Sequence, residues 1–190
     1  YYPGVGSRLE AFQRNVPSCQ VLHPERGPDG LRVFFVPDVD QDGGRFAVRE
    51  EAFGPAIAFK FIDGNNDPRT FLDAAVKFCN TEVFGSLSMN ITISPESKKL
   101  VGNEHFDECI RELQWGAIGV NVYAAMNNAI PCLRWGAFPG KHAASDIQSG
   151  QGEQGNVYLV DSPAKGVVYG PFTDPLSVFG PPSEKSPKIL

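Results

Sequence analysis

The chain has 190 residues, a formal net charge of −5 and 42% hydrophobic residues. That bounds it to one domain, or a compact part of a larger one, with a real apolar core. Its densest basic cluster is Lys98-Lys99, so a nucleic-acid partner is excluded by charge. Apolar runs such as Ala56 to Phe61 are far too short to span a bilayer, and no membrane insertion is expected.

The four cysteines (Cys19, Cys79, Cys109, Cys132) are widely spaced and contain no Cys-x-x-Cys pair. That density is low for a stapled secreted domain, so reduced thiols are expected, in cytoplasm or an organelle matrix. The first residue is Tyr1, and no basic start with an apolar core follows it. The expectation is that the numbering begins inside a longer or processed chain.

In chain order, Arg8 to Gln13 reads as helical, with Leu9, Phe12 and Val16 on one face. Residues 31–36 read as a strand closed by Pro37, and residues 38–44 as a loop. Residues 56–62 read as a second, mostly buried strand. Asp67-Pro68 resembles an N-cap with proline at the first helical position, and Phe71, Leu72, Ala75, Val76 and Cys79 then keep helical spacing. A strand follows over residues 86–93, where Leu87, Met89, Ile91 and Ile93 alternate with polar residues. Ser94-Pro95-Glu96 opens another helix with Leu100, Phe106, Ile110 and Leu113 as apolar markers. Residues 116–121 form a short strand of small residues, hence close-packed. Residues 156–160 and 166–169 read as a last pair of strands, and Pro175, Pro181, Pro182 and Pro187 mark an extended tail. Strand, helix, strand, helix, strand is the rhythm of a parallel α/β layer with crossover helices.

The strongest short motif is Arg49-Glu50-Glu51-Ala52-Phe53-Gly54-Pro55, directly before a strand. Gly-Pro after an aromatic is a turn that fixes backbone direction and presents the preceding side chains at a strand's edge. One reading is a carboxylate and a ring aimed at a ligand; the other is a surface Glu-Glu pair beside a core Phe.

Glu-Glu-x-Phe-Gly-Pro resembles the signature of the aldehyde dehydrogenase superfamily, and further stretches agree in order. Asn80-Thr81-Glu82-Val83-Phe84-Gly85-Ser86-Leu87 resembles the family's Asn-x-x-x-Tyr-Gly-Leu. Gly116-Ala117-Ile118-Gly119-Val120-Asn121 is similar to the strand near the family's active site. Trp135-Gly136-Ala137-Phe138-Pro139-Gly140 is a loose match to a Pro-Phe-Gly-Gly turn, and Lys165-Gly166-Val167-Val168 falls where the family has its last strand, used in subunit pairing.

The resemblance implies an NAD(P)-dependent aldehyde dehydrogenase-like oxidoreductase of Rossmann-like α/β class. In that pattern Glu51 hydrogen-bonds the nicotinamide ribose through its two acceptor oxygens, and Phe53 packs near the nicotinamide. Trp135 and Asn121 fall at the aldehyde pocket, where an apolar wall helps exclude water. Ala52 departs from the family's branched residue, and Leu133-Arg134-Trp135-Gly136 lacks its proline. The implied divisions are 1–150 for part of a catalytic domain, 151–172 for antiparallel oligomerisation strands and 173–190 for a proline-rich tail.

The family's chemistry needs a cysteine thiolate and a second carboxylate that lie, in family order, upstream of Glu51 together with the dinucleotide-binding domain. The 50 residues before Glu51 contain no Gly-Gln-x-Cys-like stretch, and Pro17-Ser18-Cys19-Gln20 is not that motif. No residue of this chain is therefore assigned a catalytic role, and the other three cysteines read as small buried apolar residues. The implied partners are an aldehyde, NAD or NADP once the other half is present, and another copy or a complementary chain. The alternative is a catalytically inactive structural subunit of a larger complex.

Three decoys fail on context. Asp38-Val39-Asp40-Gln41-Asp42-Gly43 begins like a calcium loop, but the twelfth position is Arg49 and no helix flanks it. Gly150-Gln151-Gly152-Glu153-Gln154-Gly155 fits Gly-x-Gly-x-x-Gly yet follows no strand and opens no helix, so it reads as a flexible loop. His23, His105 and His142 share no ligand spacing with cysteines or carboxylates, so no metal is expected. An α/β layer with an unpaired strand edge associates through that edge. The chain expressed alone should therefore self-associate or aggregate, and a monodisperse monomer in light scattering would contradict this.

Overall fold

The computed structural model describes residues 3–22, 32–150 and 152–173. His23, Leu31 and the proline-rich tail lie outside the described residues. The protein is mixed α/β and divides into two compact units. The first comprises Tyr1–Asn66 and Lys77–Phe84, and the second Asp67–Val76 and Gly85–Leu190.

In the first unit, helix α1 (Val5–Asn15) starts from Gly4 at φ 75° and buries Leu9 and Phe12, with Val16 buried just past its end. These are the three apolar residues whose spacing marks a helical face. Phe34, Val36 and Val39 are buried in the same unit, and Phe12 meets Phe46 edge-to-face at 5.1 Å. Strand β2 (Val33–Val36) lies between β1 (Gln20–Leu22), antiparallel, and β3 (Ala56–Ala58), parallel. The one-turn helix α2 (Phe46–Arg49) is tied to Glu82 by Arg45 at 3.0 Å and Arg49 at 2.8 Å.

The second strand of the sequence reading is shorter and more exposed than expected. It ends at Ala58, and Ile57, Phe59 and Phe61 are exposed. Among the described residues β3 pairs with β2 alone, and an apolar run interrupted only by Lys60 has the same spelling on a buried strand and on an exposed edge.

Helix α3 (Pro68–Thr81) begins as its sequence signals. Asp67 accepts hydrogen bonds from the Thr70 amide (3.1 Å), the Thr70 hydroxyl (2.6 Å) and the Arg69 amide (3.2 Å), which hold its carboxyl below the usual range.

The second unit is organised on a parallel sheet ordered β4 (Ser88–Ile91), β5 (Ala117–Val120), β8 (Gly166–Tyr169). All four β5 residues are buried. The chain crosses from β4 to β5 through two helices, α4 (Pro95–Val101) and α5 (Asn103–Glu112), broken at Gly102 with φ 84°. Ser94 caps α4 by accepting from the Ser97 amide at 3.1 Å, with Pro95 opening the helix. Phe106, Ile110 and Leu113 are buried as their spacing demands. Leu100 is exposed, because the break at Gly102 rotates the helical face and Val101 turns inward instead. The carbonyls of Ile110 (2.8 Å), Arg111 (2.7 Å) and Leu113 at the end of α5 all receive the Lys165 ammonium, which fixes the entry to β8.

The terminal antiparallel strand pair does not form. Residues 156–160 are a turn in which Asn156, at φ 57°, donates to the Val160 carbonyl and accepts from its amide. The Asx-type turn wins over the β-propensity of the apolar run that follows it. The strand that does form nearby is β7 (Glu153–Gly155), antiparallel to β6 (Arg134–Gly136), so half of the expected glycine-rich loop is strand. The last strand, β8, is parallel and joins β5. A short helix, α6 (Met126–Ala129), completes the unit. No helix among the described residues is long and apolar enough to cross a membrane.

A β-carbon on Gly116 would lie 1.7 Å from the Gly136 carbonyl oxygen, and one on Gly119 would lie 2.2 Å from that of Val122. Both obstacles are backbone, which cannot swing aside. Gly116→Ala should destabilise the chain by about 3 kcal/mol or more, while Gly152→Ala, which meets nothing within 4 Å, should be near neutral. Urea midpoints at an unchanged slope check this.

Candidate functional site

Three places carry the side chains of interest: the turn before β3, a cleft beside β6 and β7, and a contact between α3 and α5.

The turn holds Glu51 and Phe53 and belongs to the first unit. Glu51 is exposed on the surface. Phe53 is 53% exposed and sits at φ 40°, a left-handed conformation that costs a non-glycine residue roughly 1–2 kcal/mol. Arg8 of α1 compensates. Its guanidinium donates to the carbonyls of Ala52 (3.2 Å), Phe53 (3.1 Å) and Pro3 (3.0 Å), and stands 5.6 Å from the Phe53 ring centroid. Gly54 follows because a β-carbon there would lie 2.6 Å from a Val5 methyl. The core Phe of the blander sequence reading is thereby corrected: Phe53 is a surface ring on a fixed backbone. Sequence reasoning missed Arg8, which is 45 residues from Phe53.

Trp135 and Asn121 lie in the second unit. Trp135 lines a cleft of about 430 Å³ with Leu87, Ser149, Glu153 and Gln154, within the size range of small-molecule sites. The Ser149 hydroxyl accepts from the Ser86 amide at 2.9 Å, fixing one wall. Arg134 fixes the other. Its buried guanidinium donates to the carbonyls of Gly136 (3.1 Å), Ala137 (2.8 Å) and Ala164 (3.3 Å) and pairs with Glu153. Asn121 does not line this cleft. At φ 56°, its side chain accepts from the Ile93 amide at 2.8 Å and donates to the Ile93 carbonyl at 3.0 Å, locking the exit of β5.

The third place was not expected from sequence. Asp73 of α3 and His105 and Cys109 of α5 bring one donor atom each within 4.8 Å of one another. His105 Nε2 lies 2.6 Å from Asp73 Oδ1, and Cys109 Sγ lies 3.6 Å from that oxygen and 3.7 Å from Nε2. Arg69 Nη2 stands 3.2 Å from His105 Nδ1, and an arginine can only donate, so the neutral ring carries its hydrogen on Nε2 and gives it to Asp73. The thiol is buried, and burial, followed by the carboxylates of Asp73, Glu112 and Glu108, pushes it up to about 11. A thiol so held is a poor nucleophile. Its neighbours are nevertheless metal-ligand types. The one signal available in sequence was the four-residue spacing of His105 and Cys109 on a helix; Asp73 comes from another helix, 32 residues before His105.

All four cysteines are free. Of the three cysteines expected as small buried apolar residues, Cys109 is buried, and Cys79 and Cys132 are partly exposed. Asp40 of the calcium-like loop pairs with Lys60 and Arg45.

No protein-family model matches the chain, and no curated protein or solved structure gives a significant match.

The Arg134 geometry sets a stability expectation. Arg134→Met leaves three carbonyls and a carboxylate without their donor and should cost about 3 kcal/mol. Glu153→Gln, whose carboxylate is half exposed, should cost about 1 kcal/mol or less. Paired denaturant titrations separate the two.

Proposed function

We propose that the chain is the C-terminal part of an NAD(P)-dependent aldehyde dehydrogenase-like oxidoreductase, with the catalytic cysteine and the dinucleotide-binding domain supplied from outside these 190 residues. The observation that carries the reading is Phe53. Its ring is exposed while its backbone is held in a strained left-handed conformation by an arginine clamp, and such strained positions cluster at ligand sites. Glu51 stands exposed two residues before it, on the same turn.

These residues fit the nicotinamide end of the cofactor. An exposed carboxylate suits the vicinal hydroxyls of a ribose, which need an acceptor with two oxygens. An exposed ring on a rigid backbone suits a flat heterocycle. When bound, NAD or NADP would accept the hydride released as an aldehyde becomes a carboxylate. In the first unit Glu51 and Phe53 position the cofactor and Arg8 holds the Ala52-Phe53 backbone; within the second unit, Trp135 gives its own cleft one apolar wall. Asn121 contributes by fixing the strand end.

The alternative, a catalytically inactive structural subunit, is favoured by one observation. Tyr158 is 78% and Leu159 85% exposed, between the half-exposed Val157 and Val160, and such an apolar run on a surface suits contact with another chain or copy.

Turnover of a panel of aldehydes with NAD or NADP by the native assembly tests the proposal. Glu51→Gln should raise the cofactor KM about tenfold or more, the loss of a charge-assisted hydrogen bond to the ribose. Phe53→Ala should do the same, with far-UV circular dichroism unchanged. Silence across the panel with cofactor demonstrably bound would leave the structural-subunit reading.

A further inference from the structure

We propose that Asp73, His105 and Cys109 form a three-ligand binding site for a divalent transition-metal ion, zinc by preference. This rests on geometry separate from the Glu51 turn and stands whether or not the dehydrogenase reading does.

His105 and Cys109 are four residues apart on α5, so both project from one face of the helix. Asp73 reaches the same point from α3. A tetrahedral zinc with bonds of about 2.0–2.3 Å holds its ligands about 3.3–3.5 Å apart. The sulfur already stands 3.6 Å from the carboxylate oxygen and 3.7 Å from the imidazole nitrogen. The nitrogen and oxygen, hydrogen-bonded at 2.6 Å, need to part by less than about 1 Å. Asp73 is the ligand able to move, because its side chain is half exposed, whereas His105 is largely covered and Cys109 buried. Thiolate, imidazole and carboxylate together are a borderline-soft set that selects zinc or a similar transition ion over magnesium or calcium.

The surroundings favour a cation. The Asp73 carboxylate lies 3.6 Å from the Cys109 sulfur, and that of Glu108 lies 3.7 Å from His105 Nδ1. The carboxylates that oppose a bare thiolate attract a dication, and a dication stabilises the thiolate in turn.

Binding redistributes two hydrogens. The thiol hydrogen leaves to solvent as the sulfur–metal bond forms. The imidazole hydrogen moves from Nε2 to Nδ1, freeing the Nε2 lone pair. Nδ1 then needs an acceptor, and Glu108 Oε2 stands 3.7 Å away on the same helix. Arg69, which can only donate, is exposed and leaves Nδ1 to that carboxylate. The result is a carboxylate–histidine–metal relay in which Glu108 orients the ring. Three protein ligands leave a fourth position open to water or another small ligand.

The test uses the purified chain in its native assembly, with zinc offered in competition with a chromogenic chelator and cobalt(II) as the spectroscopic probe. The expected result is one zinc withheld per chain, and a cobalt spectrum with a thiolate-to-cobalt charge-transfer band and the intense visible absorption of tetrahedral coordination. Cys109→Ser and His105→Asn should each weaken zinc binding about a hundredfold, and Cys109→Ser should abolish the charge-transfer band. Cys132→Ser should change neither. Glu108→Gln should weaken binding about tenfold with the band retained, the signature of a positioning residue. Asp73→Asn, at an exposed position, tests ligation should either α5 substitution fail to fold. An unchanged zinc affinity in Cys109→Ser, a cobalt spectrum without the thiolate band, or loss of the band in Glu108→Gln would each overturn the three-residue assignment.

Discussion

The second unit depends on a close approach of backbones that only glycine allows. At Gly116 and Gly119 the chain on either side of β5 passes where a β-carbon would stand, against the Gly136 and Val122 carbonyls. The cleft of that unit inherits its position from this contact. Gly136 ends β6, β6 carries Trp135 into the cleft, and β6 pairs in register with Glu153 and Gln154 of the opposite wall. Small residues in a buried strand are usually read as weak packing. Here they set how near a neighbouring backbone can come, and the cleft follows from that spacing.

The protein uses three cations, one in the first unit and two in the second, whose partners are mostly backbone carbonyls. Arg8 holds the Ala52-Phe53 turn, Arg134 gathers Gly136, Ala137 and Ala164, and Lys165 closes the end of α5. Burial lowers the Lys165 ammonium below its ordinary value, yet carbonyl oxygens at a helix end offer it partial negative charge. Arg8 and Lys165 join segments dozens of residues apart, and Arg134 ties its own strand to Ala164. Such links fix irregular backbone, as at the Phe53 turn and the segment before β8.

Much of the layout was legible in the sequence, and for a common reason. Leu9, Phe12 and Val16, the Asp67-Pro68 helix start, the Ser94-Pro95 cap and the small-residue strand β5 are all set by interactions within a few residues or by a periodic face. The misreadings share the opposite property. Whether β3 is buried depends on what covers the sheet edge, and its apolar run does not encode that. Leu100 turned outward because a single glycine at φ 84° divided one amphipathic pattern into two. Residues 156–160 have strand-like composition, but one asparagine side chain closing on Val160 outweighs it. Arg8 and Asp73 escaped notice because their partners lie dozens of residues away.

The His105–Cys109 pair shows how a local signal fails when its third member is remote. Two donor side chains a turn apart on one helix are common, and by themselves they indicate only a polar stripe. What changes their meaning is α3 presenting Asp73 at the same point, with Glu108 and Glu112 adding charge of the same sign. Without a cation the arrangement is held by hydrogen bonds: the thiol stays protonated, the imidazole donates to Asp73, and Arg69 satisfies the remaining nitrogen. With a cation the same atoms become ligands, and the ring needs a carboxylate where it had a guanidinium. Glu108 already stands on that side of the ring. Glu108 also pairs with Arg111 at 3.9 Å on the same helix, so one carboxylate serves an ion pair in the first state and the imidazole ring in the second.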